Sequence, residues 1–166
     1  MAFIVTDQTV GSQPIADTSS VKKHPVGTVV RATDPTYGEG EFVYLIGVAS
    51  TIVGSIVSYV DGDTLVGQTA LATTAVDSGE PLAVAMSANL AAGYGWYQIS
   101  GVAVLGKANT LSLAPAADFA VASGLVIAAD TTNRVSGANT SITASASALV
   151  ITVPCVIDRP CGPGVG

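Results

Sequence analysis

The feature that most constrains the fold of this chain is an uncharged run that spans residues 42–60. Nineteen residues without a charge are enough for a helix that crosses a lipid bilayer. However, acidic residues flank the run on both sides, Val and Ile outnumber Leu within it, and four of its residues are Ser or Thr. Near its end apolar and polar residues partly alternate, and Asp61-Gly62, a typical hairpin-turn pair, follows. The run therefore predicts two β-strands, broken near residues 49–50, with a membrane helix as the alternative.

Composition extends the prediction of strands to the whole chain. Val, Ile and Thr pack well on a pleated sheet and lose rotamer freedom in a helix. Charged residues make up only 11% of the 166 residues and hydrophobic residues 49%, which excludes a charge-solvated disordered chain. Gly, Asp and Asn separate short apolar runs about every 8–12 residues, as in sandwiches and barrels. We therefore expect one all-β domain, a compact sandwich or barrel-like fold with an extended N-terminal arm and few or no helices.

The same pattern predicts the positions of individual elements. A strand from residue 26 ends at Asp34-Pro35, residues 38–40 form a turn, and residues 115–122 are the best candidate for a short helix. In a strand at residues 96–104, strict alternation places Trp96, Gln98, Ser100 and Val102 on one face and the intervening side chains on the other. Residues 69–78 are ambiguous between a strand and a loop. The remaining predicted strands are residues 41–48, 52–60, 64–68, 82–86, 110–113, 125–128 and 148–153, the last closing on Pro154.

The ends of the chain differ from its centre. Residues 1–24 are polar and mixed and predict an extended arm, residues 25–157 a β-rich core, and residues 158–166 a flexible tail. The first residues lack a basic start and soon reach Asp7, so we expect no secretory signal there. Phe3, Ile4 and Val5 form an apolar tip on the polar arm. We therefore expect these three residues to contact a partner, with an ordinary frayed chain end as the alternative.

Few residues of the chain are suited to catalysis or to metal binding. The single His, His24, lies in a polar segment before Pro25, and the sequence contains neither a Gly-x-Ser-x-Gly nucleophile elbow nor a Walker loop. One His with Cys155 and Cys161 is too few ligands for a structural zinc site. We expect both thiols to be reduced, with a disulfide that closes a small loop as the alternative in an oxidising compartment. A net charge of −6 argues against nucleic-acid binding. We therefore predict no catalytic residue, no metal, no cofactor, no small-molecule substrate and no membrane or nucleic-acid partner.

The aromatic residues leave one alternative in another functional class open. Trp96, Tyr94, Tyr97 and Tyr37 are the side chains from which a sugar-stacking platform of a small carbohydrate-binding or enzymatic β domain would be built. Strand alternation argues against it, because Trp96 and Tyr97 then point to opposite faces. The small, uncharged side chains instead favour a domain that associates with neighbours, since each buries little apolar area by itself.

Two blocks of sequence resemble capsid decoration (cement) proteins of tailed bacteriophages. The first is residues 37–45 with Gly47-Val48-Ala49-Ser50, and the second is residues 81–85 with residues 93–101. The resemblance covers roughly residues 35–137. It implies a β-rich domain that forms homotrimers on the exterior of the capsid and clamps subunits of the major capsid protein. Another virion component, such as a head-fibre base or a tail or adhesin domain, is the alternative.

Overall fold

Twelve β-strands and no helix make up the part of the chain that the structure, a computed structural model, describes: residues 4–5, 13–59, 69–73, 79–108, 111–129, 133–143 and 152–162. The predicted all-β fold is confirmed. The strands are β1 (Ile4–Val5), β2 (Thr18–Ser19), β3 (Val29–Asp34), β4 (Gly38–Ile46), β5 (Ile56–Tyr59), β6 (Thr69–Leu71), β7 (Leu82–Ala85), β8 (Tyr94–Gly106), β9 (Phe119–Ala122), β10 (Leu125–Ala128), β11 (Ser136–Thr140) and β12 (Thr152–Cys161).

Strand β8 organises the fold because it is 13 residues long and pairs with four other strands. The main sheet is antiparallel, and its path runs β1-β3-β4-β8-β7-β5-β6. Strand β2 pairs with the beginning of β8, and β12 pairs with its second half and carries β11 on its other edge. Strands β9 and β10 form a separate hairpin. The long central strand thus joins regions that are distant in sequence.

Alternation along β4 separates the two faces of this sheet. Phe42 and Tyr44 point to one face and belong to a buried cluster with Trp96, whereas Val43 and Leu45 belong to a different buried cluster on the opposite face. Farther along the first face, the hairpin β9–β10 contributes Phe119, Val121 and Val126 to the largest cluster. Both faces of the β4–β8 pair are therefore buried from Phe42 to Leu45.

Residues 13–28, which we call the strap, cover the first of these faces. Ile15 is only 2% exposed and packs in the cluster with Tyr44 and Trp96. Thr18–Ser19 forms β2 and pairs with Gly95 and Tyr94 at the beginning of β8. We call the face under the strap the strap face, and the opposite face the ladder face. Part of the N-terminal segment thus packs on the core, and the predicted boundary at residue 24 stays a prediction.

The uncharged run at residues 42–60 contains two strands, as predicted. Strand β4 ends at Ile46, a loop follows, and β5 covers Ile56–Tyr59. No helix among the described residues is long and apolar enough to cross a membrane. The ambiguous segment that starts at residue 69 begins with strand β6, while the strand predicted at residues 64–68 lies outside the described residues.

The predictions of a turn at residues 38–40 and of a helix at residues 115–122 are wrong. Strand β4 already begins at Gly38, and the turn lies just before it, at residues 35–37. There Asp34 Oδ1 accepts hydrogen bonds from the backbone N–H groups of Thr36 and Tyr37. The second segment turns at Ala116, which has a φ of 58°, and continues into strand β9. Tertiary packing of its apolar residues on the sheet overrides the helix propensity of its alanines.

The last strand is longer than predicted. Pro154, where it was expected to close, pairs with Val104, and β12 continues to Cys161. Gly162 N–H then donates a hydrogen bond to the carbonyl oxygen of Glu80. Residues 158–161 therefore belong to β12, and the predicted boundary at residue 157 stays a prediction.

Candidate interaction surface

A β-bulge in the middle of β8 reverses which side chains face outward. Phe42 pairs with Gln98 and Glu41 pairs with Ser100, so Ile99 is an extra residue between two consecutive pairs. One extra residue moves every later side chain to the other face. Trp96 and Gln98 share the strap face as predicted. The prediction that Ser100 and Val102 lie with them is wrong, because both follow the bulge.

Two residues hold the bulge in place. Gly101 has a φ of 102°, and a Cβ atom at this position would collide with the carbonyl oxygen of Glu39. The buried Gln98 side chain donates Nε2–H bonds to the carbonyl oxygens of Ser100 at 3.1 Å and Val102 at 3.2 Å. Position 101 thus requires glycine because of its positive φ and because a Cβ atom does not fit. The side-chain amide of Gln98 satisfies two carbonyl oxygens of the irregular backbone.

Beyond the bulge, β8 and β12 present a row of apolar side chains to solvent. Val102 pairs with Val156, and Val104 pairs with Pro154, so the four side chains lie together on the ladder face. Val156 is 51% exposed and the other three are half-buried. We call these four residues the ladder. Their neighbours in sequence, such as Ala103 and Cys155, point into the core instead.

The ladder ends in a group of charges. Ser100 pairs with both Glu41 and Asp158, which continues the row across three strands. Glu41 Oε1 accepts two hydrogen bonds from Arg31, at 3.1 and 3.2 Å, and its Oε2 accepts one from Arg159 at 2.8 Å. These groups line an open cleft of about 500 Å³.

The net charge of this cleft is negative. Glu39 and Asp158 also line it, and neither forms a salt bridge with another described residue. The two arginines, 71% and 65% exposed, are already bound to Glu41. Two guanidinium groups and three carboxylates give a local charge of −1, so the charged end of the ladder is acidic.

A second cleft, of about 370 Å³, lies where the strap meets the turn before β8. Its walls are residues 18–20 and 89–93, and Leu90 in the second wall is 75% exposed. Val21 directly follows the first wall and is 68% exposed. Lys22 and Lys23 come next, both exposed, and neither forms a salt bridge with another described residue. We call this region, residues 18–23 with 89–93, the strap cleft; its lining is mainly apolar, and the two lysines follow its first wall in sequence.

Beneath the strap lies a group of aromatic rings. The ring of His24 lies 5.1 Å from that of Tyr44 and 5.3 Å from that of Trp96, between ring centroids. Trp96 and Tyr97 are both buried, in clusters on opposite faces, so they form no shared sugar-stacking platform.

Burial also raises the pKa of the Cys155 thiol to about 12, which leaves it protonated and unreactive at neutral pH. Within the described residues, no three His, Cys, Asp or Glu side chains are placed to hold a metal ion.

Two of the three predicted partner-contact residues, Ile4 and Val5, lie at the far edge of the main sheet. Ile4 pairs with Thr33 and Val5 with Ala32, which makes β1 a two-residue strand on the edge of β3. Phe3 lies outside the described residues. Contact of Phe3, Ile4 and Val5 with a partner stays a prediction.

Sequence reasoning missed both the ladder and the strap cleft. The alternation of residues 152–158 is readable in the sequence and identifies one side of the ladder. Its other side depends on the bulge, for which Gly101 is the sequence signal.

A scan of protein-family models and searches of curated proteins and of solved structures found no match for the chain.

Proposed function

We propose that this protein decorates and stabilises the head of a tailed bacteriophage. It binds the outer surface of major capsid protein subunits as an oligomer and sits on the exterior of the virion. The proposal rests on the position in the fold of the two sequence blocks that resemble decoration proteins. They fall on β4, β7 and β8, and these strands lie side by side because β8 pairs with both others. The resemblance therefore concerns one continuous part of the buried sheet.

The physical character of the molecule supports a mechanical role. A cement protein has to resist deformation and hold neighbours together, and it needs no catalytic group for this. The β4–β8 pair is buried on both faces, and close packing of this kind resists strain. The ladder and the strap cleft add two separate apolar surfaces for contacts with neighbouring molecules.

The N-terminal residues are proposed to bind the capsid or a neighbouring subunit. Strand β3 is at the edge of the sheet apart from the two residues of β1, and extended segments add readily to such edges through main-chain hydrogen bonds. Deletion of residues 2–12 removes Phe3, Ile4 and Val5 but leaves Ile15 and the rest of the strap in place. We expect this deletion to weaken capsid binding while the thermal stability of the isolated domain changes little.

The experiment that tests the function uses phage heads purified from a strain that lacks the gene for this chain. Added protein is expected to co-sediment with the heads, to appear as density on the outer capsid surface in electron cryomicroscopy, and to raise the temperature at which the heads release DNA. Absence of binding to the heads, or density confined to tails or fibres, would contradict the proposal. The second outcome would favour the alternative virion roles.

A further inference from the structure

We infer that the ladder and the row of side chains beside it form one docking surface for a cationic, apolar segment of the major capsid protein. The row crosses four strands, because Glu41 pairs with both Arg31 and Ser100, and Ser100 pairs with Asp158. We call these four residues the charged row. The inference rests on the proposed function and deepens it, since it names the surface that meets the capsid and the side chains that the partner has to supply.

The first support is that apolar and charged side chains lie together on one exposed face. Ser100 and Val102 are two residues apart after the bulge, in regular pairing with β12, and so project from the same side. Val102 pairs with Val156, and Asn139 on β11 pairs with Val156 from its other edge. A shallow cleft of about 250 Å³ lies there, lined in part by Val156 and Asp158. An apolar centre with a polar rim is the usual anatomy of a protein interface.

The second support is that two irregularities of the backbone direct polar side chains onto this face. The bulge in β8 places Ser100 there. In β12, Arg159 has a φ of 44°, which is rare for a residue other than glycine, and β11 shifts its register opposite this segment. The guanidinium of Arg159 consequently reaches Glu41 Oε2 at 2.8 Å, although Arg159 directly follows Asp158 in the strand. Bulges and strained residues of this kind are common where a side chain has to be re-aimed.

The third support is the charge that this face offers to a partner. Arg31 and Arg159 are both bound to Glu41. Glu39 lies two residues before Glu41 along β4 and therefore projects from the same face. Glu39 and Asp158 are exposed, line the open cleft of about 500 Å³, and form no salt bridge with another described residue. The cleft thus presents two carboxylates to a lysine or arginine side chain of the partner.

A second copy of this chain is a poor source of that cation. The sequence has six Lys and Arg against twelve Asp and Glu. The three arginines already form salt bridges, and Lys107 is only 2% exposed and donates to backbone carbonyl oxygens. Lys22 and Lys23 are the remaining two, and every copy carries a net charge of −6. Charge complementarity therefore favours a different protein with a basic rim around its apolar contact.

The test measures how tightly variants co-sediment with purified phage heads that lack this chain. Glu39→Gln combined with Asp158→Asn removes the two carboxylates, and it is expected to weaken binding about tenfold and to reduce its dependence on salt. Val156→Asp is expected to weaken binding roughly a hundredfold, because a charge without a partner is then buried at the apolar centre. Asp17→Asn removes an exposed carboxylate of the strap and is the matched control, which should bind like the unaltered chain.

Each of these changes lies at an exposed position and is expected to leave the fold intact, which far-ultraviolet circular dichroism checks. If both the double variant and Val156→Asp bind the heads as tightly as the unaltered chain, the inference is wrong and the proposed function stands. If the unaltered chain itself does not bind the heads, the proposed function fails and this inference fails with it.

Electron cryomicroscopy of the decorated heads gives a second, independent readout. The ladder and the charged row are expected to lie against the capsid, with a Lys or Arg side chain of the capsid protein beside Glu39 or Asp158. A ladder that faces solvent overturns the inference. A ladder that packs on another copy of this chain, with Lys22 or Lys23 beside the two carboxylates, overturns it as well and identifies the surface as a contact between copies.

Discussion

The two halves of β8 belong to one strand and have different surroundings. From Gly95 to Ile99 every residue is buried, because the strap covers one face and a second cluster occupies the other. From Ser100 to Leu105 only the side chains that point into the core, Ala103 and Leu105, are buried, and Val102 and Val104 remain partly exposed. The bulge at Ile99 separates the halves. A single inserted residue thus divides the strand into a part that is buried on both faces and a part that is open to solvent on one face.

The largest expected effect on stability comes from the first half of β8, which contains Trp96. Trp96→Ala leaves a cavity beside His24 and Tyr44 and should lower the free energy of unfolding by about 3–5 kcal/mol in urea titrations. Val156→Ala, on the ladder, should change it by less than about 0.5 kcal/mol. If the Trp96→Ala protein does not fold, Trp96→Phe serves in its place and should still cost more than Val156→Ala. Equal losses at the two positions would contradict the difference between the halves.

The next effect concerns the junction itself. Gly101→Ala combines a positive φ with a collision against the Glu39 carbonyl and should cost about 2–3 kcal/mol. Gly38→Ala is the matched control: its φ is 78°, but no atom lies within 4 Å of the added Cβ, so about 1 kcal/mol is expected. Thermal unfolding of both variants measures the difference. A Gly101→Ala protein as stable as the control would mean that the bulge is not held by this glycine.

A smaller loss is expected at Gln98. Gln98→Leu removes the two hydrogen bonds to the Ser100 and Val102 carbonyl oxygens and should lower stability by about 1–3 kcal/mol. Hydrogen exchange should also become faster at residues 99–102 than at the other end of β8. Uniform exchange along the strand would contradict a specific role of this amide at the junction.

The smallest expected effect is a pH dependence of stability, which comes from the buried thiol of Cys155 beside the second half of β8. The thiol of Cys155 has its pKa raised from 9.0 to about 12 by burial, so the folded state keeps its proton where the unfolded state has lost it. Its contribution to stability is therefore complete below pH 9 and is lost as the pH rises toward 12, by about 1 kcal/mol at pH 10. Comparison of the stability change between pH 8 and pH 10 in the unaltered chain and in Cys155→Ala measures it. Identical changes in the two proteins would show that the thiol is not buried.

Much of the fold could be predicted from this sequence because its strands carry local signals. The hydroxyl residues and the acidic flanks of residues 42–60 indicated two strands, and alternation placed Trp96 and Tyr97 on opposite faces. The candidate interaction surface was harder to predict from the sequence, because the bulge depends on how β4 and β8 pair across a long sequence separation. The strap cleft also joins segments about 70 residues apart. Strand β9 was missed because its alanine-rich surroundings carry a helical signal that sheet packing overrides.

The most direct test of the bulge is thiol labelling at two adjacent residues of β8. With Cys155→Ala and Cys161→Ser as background, single cysteines replace Val102 or Ala103, and labelling is measured in dilute protein that does not associate. The structure predicts rapid labelling at position 102, on the ladder face, and labelling at position 103, which is 0% exposed, only after unfolding. Rapid labelling at position 103 with protection at position 102 would show that the strand has no bulge.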